Sequence, residues 1–192
     1  LIHDESLERT TDGVGAVCKT SDADLRVLDA GARRHPAFAG EPLPSFESAA
    51  QLCRQLGLMA NVEIKPAAGH EAATGAVVAG CARELWAGTE LPLLSSFSET
   101  ALLAAREAAP EMPLGSLFER PPADWLARVN RVGALSLHCD ATLLDDEVLR
   151  AARANGIPVL CYTVNHTQAA TRLFRRGVMA VFSDRIDCLG ES

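Results

Sequence analysis

Two charged residues lie two positions apart in an otherwise apolar run. The run Asn61-Val62-Glu63-Ile64-Lys65-Pro66 has the composition of a short β-strand. Side chains alternate between the faces of a strand, so Glu63 and Lys65 should share one face. Pro66 ends the run and places both at its C-terminal end, where α/β enzymes keep their sites. The pair is either an exposed ion pair or part of a site, and the cost of burying charge favours a site.

Lysine is rare in this chain, which makes the presence of Lys65 informative. Of 18 basic residues, Lys19 and Lys65 are the two lysines and the rest are arginines. A chain with this bias uses arginine wherever a general surface cation is enough. Lys65 is therefore a candidate for a position that requires a compact ammonium group.

Two histidines are placed where they could take part in a site. His3 is followed by Asp4 and ends an apolar run, Leu1–His3, which predicts a strand. An imidazole can donate or accept a proton near neutral pH, so His3 is a candidate general acid or base. His138 follows another apolar run and is predicted at a strand exit, where it is either structural or a residue that lines the pocket.

Composition excludes several classes of protein. The chain has 192 residues, 48% of them hydrophobic, and a net charge of −7, which indicates a single globular domain over residues 1–192. The longest Lys/Arg run is Arg33-Arg34 or Arg175-Arg176, which argues against a nucleic-acid partner. No apolar stretch approaches the ~18 residues of a membrane span. Six cysteines without C-x-x-C spacing are expected to be free and mostly buried, which predicts a cytoplasmic location.

Short apolar runs alternate with longer stretches of helical period. Strands are predicted at Leu1–His3, Leu58–Ile64, Leu91–Phe97, Pro113–Phe118, Ala134–His138, Ile157–Val164 and Met179–Ser183. Helices are predicted at Phe46–Leu56, Glu71–Trp86, Glu99–Ala109, Ala123–Val132, Asp145–Ala154 and Thr167–Arg176. This alternation implies an α/β fold with a parallel sheet, either doubly wound or closed into a barrel. The Gly- and Pro-containing segment Glu5–Pro44 is predicted to be mostly irregular.

An ordered set of motifs resembles one family. The run His3-Asp4-Glu5-Ser6-Leu7-Glu8-Arg9-Thr10-Thr11-Asp12-Gly13-Val14-Gly15 resembles the H-D-x-x-L-x-R-T-T-x-G-x-G signature of glycerophosphodiester phosphodiesterases, and the bacterial cytosolic form is especially similar. The resemblance continues through Glu41–Pro44, Asn61–Lys65, Ser95–Phe97, Tyr162–Asn165 and Phe182–Asp184, in the same order.

The resemblance implies a TIM barrel that hydrolyses a small glycerophosphodiester to an alcohol and sn-glycerol 3-phosphate with Mg2+ or Ca2+. By the same resemblance, Glu63 matches a metal ligand and Lys65 a phosphate contact. His3 matches one of two catalytic histidines, and Phe97 and Tyr162 match residues that line the glycerol side of the pocket.

The sequence also departs from the family pattern. The H-R-G and E-x-D motifs of the first two barrel strands are absent, and 192 residues fall short of the ~250 of a typical barrel. We therefore expect an N-terminally incomplete barrel that would be inactive without its first two strands. The seven predicted strands and the two absent ones would make nine. A TIM barrel has eight, so one predicted strand should not belong to the barrel. Two alternatives remain: a barrel phosphodiesterase that acts on phospholipid or lysophospholipid, and a non-catalytic binding module with a decayed site. No oligomeric state is predicted.

Overall fold

The computed structural model describes residues 1–188, which form two compact units. The N-terminal unit comprises residues 1–59 and 67–69, and the sheet unit comprises residues 60–66 and the chain from His70 onward. That the two units act as one domain over residues 1–192 stays a prediction. No helix of the described chain is both long and apolar enough to cross a membrane.

The sheet unit is built on six parallel strands. They are β1 (Asn61–Glu63), β2 (Leu93–Ser96), β3 (Leu114–Phe118), β4 (Ser136–Asp140), β5 (Val159–Tyr162) and β6 (Ala180–Val181). Their order in the sheet is their order in the chain. A doubly wound sheet reverses its strand order at a switch point, whereas a barrel adds each strand beside the last. The observed order is that of a barrel.

Helices connect successive strands, and their ends agree with the predicted ones to within two residues. In the sheet unit they are α3 (Glu71–Leu85), α4 (Glu99–Ala108), α5 (Trp125–Val132), α6 (Asp146–Ala154) and α7 (Thr167–Arg176). A 3-10 turn, Ile186–Cys188, follows β6. Ser98 caps α4 by accepting a hydrogen bond from the backbone N–H of Ala101, as its position before the helix indicates.

One face of the sheet packs against the helices and the other carries the polar residues. Leu137 and Cys139 of β4 and Val159 and Cys161 of β5 are buried in one core with side chains of α5, α6 and α7. Because side chains alternate along a strand, Ser136, His138 and Asp140 point to the opposite face. We call this opposite side the polar face. The buried thiols on the helix-covered face confirm part of the cysteine prediction, but Cys18 and Cys81 are exposed.

The N-terminal unit contains two helices, α1 (Asp22–Arg26) and α2 (Phe46–Gln55), and 3-10 turns at Val17–Lys19 and Pro36–Phe38. The predicted strand Leu1–His3 is wrong, because these residues have no regular secondary structure. A strand needs a ladder partner, which the apolar pattern alone does not supply. This removes the surplus strand that the count of nine indicated.

The segment predicted as irregular is ordered by backbone hydrogen bonds and by side-chain contacts to its backbone. The carboxylate of Asp29 accepts hydrogen bonds from the N–H groups of Gly31, Ala32 and Gly40 at 2.8–2.9 Å. These bonds hold the pKa of Asp29 below its ordinary value. Apart from α1, the two 3-10 turns and single bridges, the segment has no regular elements.

Candidate active site

The backbone of Ile64 fixes the predicted Glu63–Lys65 pair. Its N–H donates to the carbonyl oxygen of Ser95 at 2.7 Å, and its carbonyl accepts a 2.6 Å hydrogen bond from Ser96 Oγ. The Ile64 side chain is 2% exposed, whereas Glu63 and Lys65 on either side of it are both exposed. The two charged residues therefore project from a segment whose backbone is held by β2.

Strand register places Glu63 on the polar face. Glu63 lies opposite Ser95 of β2, Ser95 lies opposite Gly115 of β3, and Gly115 lies opposite Ser136 of β4. Neighbours in a parallel register present their side chains on the same side of a sheet. Since Ser136 is on the polar face, Glu63 is too. Lys65 lies two residues beyond the end of β1, so its place on the same side stays a prediction.

Two aromatic residues from distant strands meet above this face. Phe97 directly follows β2 and Tyr162 ends β5, yet their ring centroids are 6.0 Å apart at an interplanar angle of 78°. Three strand spacings of a flat sheet would separate these positions by about 14 Å. The sheet unit therefore curves toward its polar face, and the edge-to-face pair lies at the carboxyl ends of the strands.

Burial and nearby negative charge both act on the phenol of Tyr162. Burial and then the negative charges of Asp140, Glu119 and Glu63 raise the pKa of Tyr162 above its ordinary value, so the phenol is protonated at neutral pH. Asp140 lies directly opposite Tyr162 in the register. Its Oδ1 also accepts hydrogen bonds from Thr142, at 2.7 Å from the backbone N–H and 2.6 Å from Oγ1.

Sequence reasoning missed Asp140 and Glu119. It ended the fourth strand of the sheet at His138, but β4 continues to Asp140. The alternation of Ser136, His138 and Asp140 was the available signal, since it places three polar side chains on one face. Glu119 follows β3 immediately, and no local pattern distinguishes it from an ordinary loop residue.

His138 lies inside β4, which corrects its predicted place at the strand exit. The residue is 1% exposed, and its Nε2 is 2.9 Å from Ser136 Oγ. A Cβ on Gly115 would come within 2.8 Å of that Nε2, so glycine leaves room for the ring. Burial lowers the pKa of His138 to about 4, which keeps it neutral at physiological pH. Whether it lines a pocket stays a prediction.

His3 belongs to the N-terminal unit and is exposed. Its Nδ1 is 2.9 Å from Asp4 Oδ1. The carboxylate of Asp4 is held in turn by the guanidinium of Arg9, whose Nη2 donates to Oδ1 at 2.8 Å and whose Nε donates to Oδ2. His3, the predicted general acid or base, therefore has the ionised carboxylate of Asp4 as its neighbour.

The described residues provide one clear candidate donor for a hard cation. Glu63 has an exposed carboxylate, and carboxylate oxygens are what Mg2+ and Ca2+ prefer. Within residues 1–188, no three His, Cys, Asp or Glu side chains are grouped so as to hold a metal ion. Glu63 thus fits as one ligand of such a cation and does not by itself make a complete site.

Comparison with known proteins assigns the family. Residues 1–188 match the Glycerophosphoryl diester phosphodiesterase family. The chain belongs to this family. Members named in the comparisons are hydrolases: a glycerophosphodiester phosphodiesterase of Caldanaerobacter subterraneus subsp. tengcongensis is 26% identical over 184 residues, which is 96% of this chain and 75% of that protein. A Bacillus subtilis glycerophosphodiester phosphodiesterase is 26% identical over 205 residues, 97% of this chain and 69% of that protein.

Solved structures of the family have the same fold. An Oleispira antarctica phosphodiesterase, solved in complex with the product sn-glycerol-3-phosphate, is 32% identical with a TM-score of 0.94 over 98% of this chain and 76% of that one. The glycerophosphodiester phosphodiesterase of Agrobacterium tumefaciens is 23% identical with a TM-score of 0.80 over 98% of this chain and 78% of that one. The predicted TIM-barrel class is confirmed, and the six parallel strands form an incomplete barrel.

Proposed function

We propose that this family member hydrolyses small glycerophosphodiesters to an alcohol and sn-glycerol 3-phosphate, with the help of a divalent cation. The observation that carries the proposal is the exposed Glu63–Lys65 pair on either side of the anchored Ile64, in a chain 32% identical to a phosphodiesterase solved with that product. A carboxylate and an ammonium two residues apart suit a reaction in which negative charge grows on phosphate.

Each predicted site residue has a role that its chemistry supports. The Lys65 ammonium binds and neutralises a phosphate oxygen, while the Phe97–Tyr162 pair contacts the carbon skeleton of the glycerol and excludes water from it. His3 moves a proton between the substrate and solvent. Glu63 would hold Mg2+ or Ca2+ together with waters and further ligands, and a bound cation would supply additional neutralisation of the phosphate charge.

The test is product release by the protein expressed from its complete reading frame. Glycerophosphocholine is supplied with Mg2+ or Ca2+, and sn-glycerol 3-phosphate is measured with a coupled dehydrogenase. We expect product with the metal and its loss in EDTA. Turnover of lysophospholipid vesicles without turnover of glycerophosphocholine would favour the lipid alternative. No turnover of either substrate would favour a binding module.

The Glu63 role is tested by calorimetric titration with Mg2+ and Ca2+. Glu63→Gln keeps the shape of the side chain but removes its charge, so metal affinity should fall at least tenfold. Glu111→Gln is the matched control, because Glu111 is exposed in the same unit and precedes β3, at the opposite end of the strands. Equal titrations for Glu63→Gln and the unsubstituted protein would remove Glu63 from the metal site.

A further inference from the structure

We propose that Asp4, clamped by Arg9, is a positioning residue that fixes the tautomer and orientation of His3. The inference rests on the proposed catalytic role of His3 and goes beyond it by assigning how the imidazole is prepared. The three side chains form a continuous chain of contacts within the N-terminal unit: His3 Nδ1 to Asp4 Oδ1 at 2.9 Å, and Asp4 to both Nε and Nη2 of Arg9.

The contact with Asp4 determines which ring nitrogen of His3 carries the proton. An ionised carboxylate can only accept hydrogen bonds, so the neutral imidazole must carry its N–H on Nδ1 to make this contact. The hydrogen bonds from Arg9 and His3 hold the pKa of Asp4 well below its ordinary range, so the carboxylate is ionised at neutral pH. The lone pair of the neutral ring is then on Nε2, the nitrogen that points away from Asp4.

Arg9 determines the orientation of the Asp4 carboxylate. Arg9 contacts both oxygens of Asp4, one through Nε and one through Nη2 at 2.8 Å. A two-point contact between planar groups fixes the plane of the carboxylate as well as its position. The direction of the oxygen that meets His3 is thereby fixed too, and lysine could not reproduce it.

The backbone between Asp4 and Arg9 is itself held in place. Leu7 N–H donates to the carbonyl of Gly15 at 3.0 Å, and the carbonyl of Leu7 accepts from both the N–H and the Oγ1 of Thr11. Leu7 is 2% exposed and Thr11 is fully buried. The buried, hydrogen-bonded turn at Leu7 and Thr11 therefore supports the backbone that carries Asp4 and Arg9.

Stability does not explain this arrangement well. The side chains of His3 and Arg9 are 64% and 65% exposed, and exposed ion pairs contribute little to folding stability. The contacts instead orient the imidazole of His3 for proton transfer. When an O–H bond of the reacting group breaks and its proton goes to Nε2, the resulting imidazolium is stabilised by Asp4, which stays ionised.

The test combines kinetics with nitrogen NMR on the protein expressed from its complete reading frame. Long-range 15N–1H correlation spectra report which ring nitrogen of neutral His3 carries the proton, and His3→Gln assigns the signals. We expect Asp4→Asn to shift His3 from the Nδ1–H form toward the Nε2–H form. The same variant should lower kcat about 10- to 100-fold with KM changed less than about twofold.

Glu5→Gln is the matched control, since Glu5 is the exposed neighbour of Asp4 and the substitution removes the same charge. It should leave both the tautomer and kcat unchanged. Arg9→Lys keeps the charge but removes the two-point contact, and it should lower kcat severalfold with a mixture of tautomers, even if Asp4→Asn proves poorly folded.

The outcomes separate this inference from the proposed function. An unchanged tautomer and an unchanged kcat in Asp4→Asn and Arg9→Lys would overturn the inference. So would an altered tautomer with an unaltered kcat. If His3→Gln retains full activity, the catalytic role of His3 fails, whatever the tautomer spectra show.

Discussion

Tyr162 Oη donates a 2.9 Å hydrogen bond to the backbone carbonyl oxygen of Phe118, although their strands, β5 and β3, are separated by β4. The bond bridges the carboxyl ends of two non-adjacent strands. It holds the ring that Phe97 contacts, so the aromatic pair depends on the curvature of the sheet and also reinforces it.

Replacing Tyr162 by phenylalanine should separate the contribution of the Tyr162–Phe118 hydrogen bond from that of the aromatic contact with Phe97. The ring stays but the hydrogen bond is lost, so unfolding free energy should fall by about 1 kcal/mol and Tm by about 2–4 °C. KM for the glycerophosphodiester should rise because the ring is less well held. Thermal unfolding and steady-state kinetics measure the two effects, and Phe97→Leu serves as a companion that removes the ring contact. If neither Tm nor KM changes in Tyr162→Phe, the bond has no structural role.

Lys65 is expected to act on phosphate rather than on folding. Lys65→Ala should reduce kcat/KM about 100-fold or more with little change in Tm, because the exposed ammonium acts on substrate charge. Lys65→Arg should recover part of the activity. Lys19→Ala is the control, since it removes the same charge from an exposed position in the N-terminal unit. Equal kinetics for the Lys65→Ala and Lys19→Ala variants would remove Lys65 from the site.

Burial of His138 predicts a loss of stability in mild acid. Its pKa falls from 6.5 to about 4 on folding, so below pH 6.5 the unfolded state binds a proton that the folded state does not. Stability is complete above about pH 6.5 and falls as the pH drops toward about 4, by about 3 kcal/mol in total.

The experiment compares urea unfolding at several pH values for His138→Asn and for the unsubstituted protein. In the variant, the free energy of unfolding should depend less on pH between pH 4 and 6.5, because the contribution of His138 is gone. His70→Asn is the control, because His70 is exposed at the start of α3. Parallel pH profiles for His138→Asn and the unsubstituted protein would contradict the assignment.

Cysteine labelling should follow exposure. Iodoacetamide should modify Cys18 and Cys81 in the native protein, whereas Cys139 and Cys161 should react after unfolding in urea. The buried pair lies side by side on β4 and β5 under the helices, where reagent and water are excluded. Peptide mass spectrometry quantifies each site. Native labelling of Cys139 at the rate of Cys81 would show that this core opens easily.

Much of the sheet unit follows from local pattern. The pattern around Glu63 correctly predicted a strand that ends close to this residue and a buried Ile64 between two exposed charged residues, because period-two alternation is a property of extended chain. Helix ends were predicted closely, since caps such as Ser98 act within one turn. Strand ends were less accurate: β1 begins at Asn61 rather than Leu58, because a strand extends only where a neighbour offers hydrogen bonds.

Local order along the chain was enough to predict the family, the alternation of strands and helices, and the two-residue period within the strands. Other features depend on contacts between distant parts of the chain. The curvature that brings Phe97 to Tyr162, the burial of His138 and the placement of Asp140 opposite Tyr162 depend on which strands become neighbours and how the helices press on them. Those contacts join residues far apart in the chain, and their geometry arises only when the whole unit packs.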